Sequence, residues 1–117
     1  MGVRFALTAL LLLTACDDTR IEPNQVEPGS AARGKLAAQR LGCGTCHDIP
    51  GVWPQGRTGP SLRHFAERGI FAGKLPNRPD RVAAFLLDPS SSGMPKVAMS
   101  ARDAADLAAF LHQSDAR

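Results

Sequence analysis

Cys43-Gly44-Thr45-Cys46-His47 decides how this chain is read. Two thiols three positions apart, with an imidazole beside the second, have the spacing at which both sulfurs reach the two vinyl groups of one porphyrin while the imidazole lies under its iron. The expected product is one covalently bound haem c, held by Cys43 and Cys46, with His47 as the fixed axial ligand. Two other chemistries use such a cysteine pair: a dithiol redox couple and half of a zinc site. The first wants a βαβ pattern around it, and the second wants another ligand pair. The sequence has no second Cys pair and no His-x-x-x-His.

Working outward, the chain has 117 residues, enough for one domain with extensions. The foldable part runs from 31 to 113, leaving 114–117 as a tail. With no Tyr, one Trp and five Phe, so small a domain has little aromatic volume for a core. A buried macrocycle is therefore expected to be structural as well as functional.

The third cysteine, Cys16, closes an export signal. Arg4 followed by the apolar run from Phe5 to Ala15 has a basic n-region and a short h-region, too short to span a bilayer as a helix, so residues 1–15 read as a signal peptide. Leu13-Thr14-Ala15-Cys16 resembles the lipobox of bacterial lipoproteins, which implies lipidation at Cys16. The alternative is ordinary secretion with a stray cysteine. Several acyl chains would anchor the protein stably, since each buried methylene contributes about 0.8 kcal/mol and a single chain is marginal. Asp17 resembles a signal for retention at the inner membrane, which would place the protein on the periplasmic side of that membrane. Residues 16–30 are polar, contain Pro23, Pro28 and Gly29, and read as a flexible tether.

Charge is unevenly spread. Residues 33–102 carry eleven bases against four acids, whereas the segments on either side are acidic. Such a basic face would steer the domain toward an acidic patch on a redox partner, with an on-rate that falls as salt rises. A merely solvated basic surface is the alternative. Nucleic acid is not an expected partner of an exported chain.

The patterning predicts an all-α domain of three to four helices. A first helix is expected over 31–41, stopped by Gly42. The stretch 49–59, with two prolines and three glycines, is expected to be irregular. A short helix is expected to begin near Ser61. Pro79 suits the first turn of a helix to Leu87, in which Val82, Phe85 and Leu86 form a stripe and Pro89 forces the end after Asp88. The last helix opens with Ser100 and Asp103 as a capping box, with Ala104, Leu107, Ala108 and Leu111 on one face. No alternating strand pattern appears.

A six-coordinate electron-transfer haem needs a second axial ligand. The candidates are Met94, Met99, His64 and His112. Met94 is preferred because Gly93-Met94-Pro95 lies on a loop, where glycine admits close approach and proline stiffens the chain presenting the sulfur. Met99 suits core packing as a staple before the Ser100 cap. His64, on the helix expected there, and His112, near the chain end, are expected at the surface. A thioether ligand favours ferrous iron and raises the potential.

These residues together resemble a class I cytochrome c over Ala31 to His112, with a small cytochrome c fold packed around one covalent haem. Gly59-Pro60 is similar to the family's Gly-Pro pair, which implies that the Pro60 carbonyl accepts the N–H of His47. The resemblance also implies that the first and last helices cross at Gly34 against Phe110. More narrowly, residues 46–51, 55–64, 72–77 and Met94-Pro95 resemble the cytochrome c domain fused to subunit II of some bacterial haem-copper oxidases. Ser61, Arg63, Trp53 and Met99 depart from that pattern, and the copper-binding subunit is absent. By family position Arg57 pairs with a haem propionate and Trp53 covers the same edge. An exposed Arg and a core Trp are the alternatives.

The expected function is one-electron transfer by a membrane-anchored monohaem cytochrome with a monomeric head, to a terminal oxidase or another respiratory complex, without enzymatic chemistry of its own. Two readings stand beside it. One is a gas sensor or peroxidase-like site in which Met94 leaves the iron; the other is an electron-accepting subunit of a periplasmic dehydrogenase.

Overall fold

Ser30 opens the first helix, its hydroxyl accepting the Arg33 N–H at 3.3 Å. In this computed structural model, which describes residues 28–113, that helix is α1, Ala31–Arg40, with Leu41 as its C-cap. Gly42 follows in the left-handed region at φ 74°. The segment read as a signal peptide, Cys16, most of the segment read as a tether and the residues read as a tail lie outside the described residues. Gly29 and Ser30, the end of the segment read as a tether, lie against the last helix: a Cβ on Gly29 would collide with the Ala105 carbonyl, and the Ser30 N–H donates to Asp106 Oδ1 at 2.7 Å.

α2 spans Pro79–Leu87, with Pro79 in the first turn and Asp88 as C-cap. α3 spans Ala101–Gln113. Its capping box is reciprocal: the Asp103 N–H donates to Ser100 Oγ at 3.0 Å and the Ser100 N–H to Asp103 Oδ2 at 3.2 Å. The expected stripe of Ala104, Leu107, Ala108 and Leu111 is buried. α3 is the central element and packs on both α1 and α2.

α1 and α3 cross where Gly34 meets Phe110. A Cβ on Gly34 would collide with the Asp106 carbonyl oxygen and lie 2.6 Å from Phe110 Cβ, so the two backbones approach as closely as they do only because no side chain intervenes. Asp106, its side chain 5% exposed, accepts Arg33 Nε at 2.8 Å at this crossing, and Arg33 Nη2 lies 3.0 Å from its other oxygen.

The segment between α1 and α2 departs from expectation in two ways. No helix begins at Ser61; instead His64, at φ 55°, precedes a 3₁₀ turn over Phe65–Glu67. A small antiparallel pair then forms, β1 (Ile70–Phe71) with β2 (Leu75–Pro76), in the register Phe71 opposite Leu75. The Lys74 N–H donates to the Phe71 carbonyl at 3.2 Å, across Ala72 and Gly73 at φ 47° and 81°, the φ signs of a type I′ turn. Two residues per strand are too few to show alternation, which is why the pattern was invisible. The molecule is thus mostly helical rather than wholly so.

Aromatic rings join these parts. Phe65 meets Phe71 edge to face at 6.0 Å, and Phe71 meets Phe85 of α2 at 5.3 Å. No helix among the described residues is long and apolar enough to cross a membrane.

Candidate functional site

Cys43–Thr45 form a 3₁₀ turn directly after α1. The His47 N–H donates to the Cys43 carbonyl at 3.0 Å and the Thr45 N–H to Gly42 at 3.0 Å, so one hydrogen-bonded turn sets both thiols and the imidazole. Cys43 and Cys46 are free thiols, each half-buried. Burial pushes the Cys43 thiol up, helped by the neighbouring Cys46 and opposed by a backbone hydrogen bond.

His47 is fixed by the loop that follows. Its Nδ1 lies 2.7 Å from the Pro60 carbonyl oxygen. A carbonyl only accepts, so Nδ1 carries a proton and Nε2 is the nitrogen left to act as a donor to a metal. The ring lies flat against Gly59, where a Cβ would come within 2.7 Å of Cε1 and 2.9 Å of Nδ1. Any side chain there would displace the imidazole. Backbone bonds lace the loop to the turn: Gly59 N–H to Cys46 at 2.7 Å, Gly56 N–H to Gly44 at 2.8 Å and Leu62 N–H to Asp48 at 2.9 Å.

Arg63 pairs with Asp48 at 2.8 Å, while the other oxygen of Asp48 is buried without a partner. Arg57 is exposed and lines a cleft of about 350 Å³ with Asp48, Gln55 and Gly59. Trp53 is 73% exposed, which removes the alternative of a core tryptophan.

Met94 is half-buried against the apolar core, as is Met99. Among the described residues one hydrogen bond holds the Met94 backbone, its N–H donating to Ser92 Oγ at 3.2 Å. His64 is exposed and faces Glu67 at 3.3 Å. His112 is not at the surface as expected. It is half-buried, its ring edge-on to Phe65 at 5.7 Å, with Nδ1 2.7 Å from the Ala108 carbonyl and Nε2 3.1 Å from Asn77 Oδ1.

Asn77 itself was not singled out by its residue type. Its amide nitrogen donates to the carbonyls of Phe65 at 2.7 Å and Arg68 at 3.0 Å, tying the 3₁₀ turn, the strand pair and α3 together. Asp106 was likewise missed. The available signal was a carboxylate among the apolar positions of α3.

Among the described residues there is no group of three or more His, Cys, Asp or Glu that could hold a metal ion. Compared with known proteins, the sequence matches no family model and no curated protein.

Proposed function

We propose that this protein is a c-type cytochrome of the class I kind, carrying one haem c on Cys43, Cys46 and His47 and moving single electrons in a respiratory chain. The observation that carries this reading is the fixed imidazole. The His47 Nδ1–H donates to the Pro60 carbonyl, which reserves Nε2 as the ligating nitrogen, in a turn that also supplies two unbridged thiols. The donor set fits the group: one imidazole nitrogen, two thiols for the vinyl carbons, and a thioether at Met94 on a separate loop. A closed zinc site lacks its remaining ligands among the described residues.

A haem bound there supplies a one-electron couple of ferric and ferrous iron. The Pro60 carbonyl orients the His47 ring and raises its donor strength. Gly59 keeps the ring face clear. Met94 would offer a second, softer donor to such a group, which would suit electron transfer over substrate binding. Arg57, exposed at the adjoining cleft, would pair with a propionate in this reading, and Trp53 would flank the same edge. The chain is exported, lipid-anchored through Cys16 and held on the periplasmic side of the inner membrane, with a terminal oxidase as the preferred electron acceptor.

Intact-mass analysis of protein made with a haem-attachment apparatus tests the reading, the expected result being the addition of one haem that survives denaturation. The ferric protein should show the long-red absorption of a thioether ligand. Met94→Ala should abolish it while Met99→Ala retains it, and the reverse result would reassign the ligand. Absence of the added haem would overturn the function.

A further inference from the structure

We propose that Trp53 is the anchor by which the haem-bearing end of the head docks onto its redox partner, a protein with an apolar cleft rimmed by carboxylates. The inference rests on the electron-carrier reading. Trp53 is the chain's single tryptophan and, with Leu36, one of the two most exposed large apolar side chains among the described residues.

Its backbone is held as firmly as its indole is free. One side-chain amide takes both of its polar groups: the Trp53 N–H donates to Gln39 Oε1 at 3.0 Å, and Gln39 Nε2 donates to the Trp53 carbonyl. The Gly56 N–H closes the same loop onto Gly44. The loop also packs over Gly44, where a Cβ would run into the Pro54 carbonyl and come 3.2 Å from Val52 Cγ1. The Trp53 backbone therefore stands beside the turn between the two thiols, on a loop that loses little freedom when a partner binds. Rigid, amphipathic and largely solvated before contact, the indole has the properties of a binding hot spot.

The surroundings are cationic. Lys35 lies one helical turn before Gln39, on the same edge of α1, and its ammonium reaches the loop at Gly51. Arg57 is exposed four residues after Trp53. Neither makes an ion pair among the described residues, and the nearby Asp48 is engaged by Arg63. The complement of an aromatic centre with a basic margin is an apolar cleft with acidic margins.

A tryptophan among bases also suits a lipid interface, but the direction of the chain argues otherwise. The tether enters at the N-terminal end of α1, where Ser30 meets Asp106. Gln39 holds Trp53 at the other end, about 13 Å along the axis at 1.5 Å per residue. An anchored head can thus present Trp53 away from its own membrane attachment.

The test compares two acceptors for the haem-loaded full chain: respiratory membranes from its native cell, and hexacyanoferrate, which needs no docking site. In Trp53→Ala the ratio of the rate with membranes to the rate with hexacyanoferrate should fall at least tenfold, through a raised KM. Trp53→Phe should recover most of the ratio, and Leu36→Ala, exposed elsewhere on α1, should leave it unchanged. An unchanged ratio in Trp53→Ala overturns the proposal. So does Trp53-dependent binding to phosphatidylglycerol vesicles with an unchanged ratio, which would assign the indole to lipid. A chain carrying no haem overturns the electron-carrier reading as well, and mass analysis tells that failure from the others.

Discussion

Gly34→Ala should destabilise the head although it introduces the best helix former into the middle of α1. On propensity alone the change is worth a gain of about 1 kcal/mol. The added methyl, however, would sit 2.6 Å from Phe110 Cβ and 2.6 Å from the Asp106 carbonyl carbon, and would collide with the carbonyl oxygen. Ordinary carbon contacts lie at about 3.5–4.0 Å, so the helices would have to part by about 1 Å. The opposing atoms are α3 backbone and a Cβ, which no rotamer change can move.

Parting also stretches the bonds that straddle the crossing, Ser30 N–H to Asp106 at 2.7 Å and Arg33 to Asp106 at 2.8 Å. Overpacking of this kind costs about 1–3 kcal/mol, and the weakened bonds add to it. The net expectation is a loss of about 2 kcal/mol, or a Tm lower by about 10 °C for a domain of this size. Thermal melts followed by helical circular dichroism on the haem-loaded protein would read it. Ala32→Gly, exposed on the same helix, is the reference and should lose about 1 kcal/mol. If Gly34→Ala melts at or above the parent temperature, propensity has won and the close crossing is refuted.

Asp106 should make the head acid-sensitive. The Arg33 hydrogen bonds, and then the Ser30 N–H, hold its carboxyl below the ordinary value against the opposing effect of burial. A depressed folded value means the stabilisation is complete above the unfolded value, about 3.9, and drains away as pH falls through the folded one. Asp106→Asn should therefore be less stable at neutral pH and show a shallower stability loss below about pH 4; identical acid titrations would contradict this. Ala72→Gly should stabilise by about 0.5 kcal/mol, because relief of a left-handed alanine at φ 47° outweighs the unfolded-state entropy of glycine. A lower urea midpoint would count against it. Asn77→Ala should cost about 2 kcal/mol in urea denaturation, since it strands the Phe65 and Arg68 carbonyls and His112; a loss below about 0.5 kcal/mol would show the knot to be slack.

The three helices were readable because their signals are local. Gly42, Pro79 and the Ser100–Asp103 box each mark a helix end within one turn, and the α3 stripe repeats at helical spacing. The stretch from 61 to 77 was not readable because distant groups order it. The Arg68 guanidinium donates to the carbonyls of Ser61 at 2.7 Å and Arg63 at 3.1 Å, and Asn77 ties off the other end. His64 and Ala72 adopt positive φ, which residue preferences reserve mainly for glycine and asparagine. His112 did leave a trace. It stands four and eight residues after Ala108 and Ala104, in line with the buried stripe, so its place in the helix foretold burial better than its distance from the chain end.

The two proposed iron ligands are supported very unequally, and the inequality bears on which functional reading the fold favours. On the His47 side, backbone bonds lace the turn to the loop, the ring rests on Gly59, and Pro60 fixes the proton. On the Met94 side, the loop between α2 and α3 is held by the Ser90 N–H donating to Asp88, by the Ser92 contacts to Pro89 and by the Met94 N–H donating to Ser92 Oγ. A ligand held by so few bonds is the one that leaves when the loop opens locally. The sensor reading needs that departure, whereas the carrier reading needs the thioether to stay in both oxidation states. What would keep it is the packing of the half-buried Met94 side chain against the apolar core, together with the softness of a thioether toward ferrous iron. The carrier is thus the more economical reading: it asks the weakly tied loop only to stay closed over an apolar side chain, and asks nothing of the rigid half beyond holding His47 still.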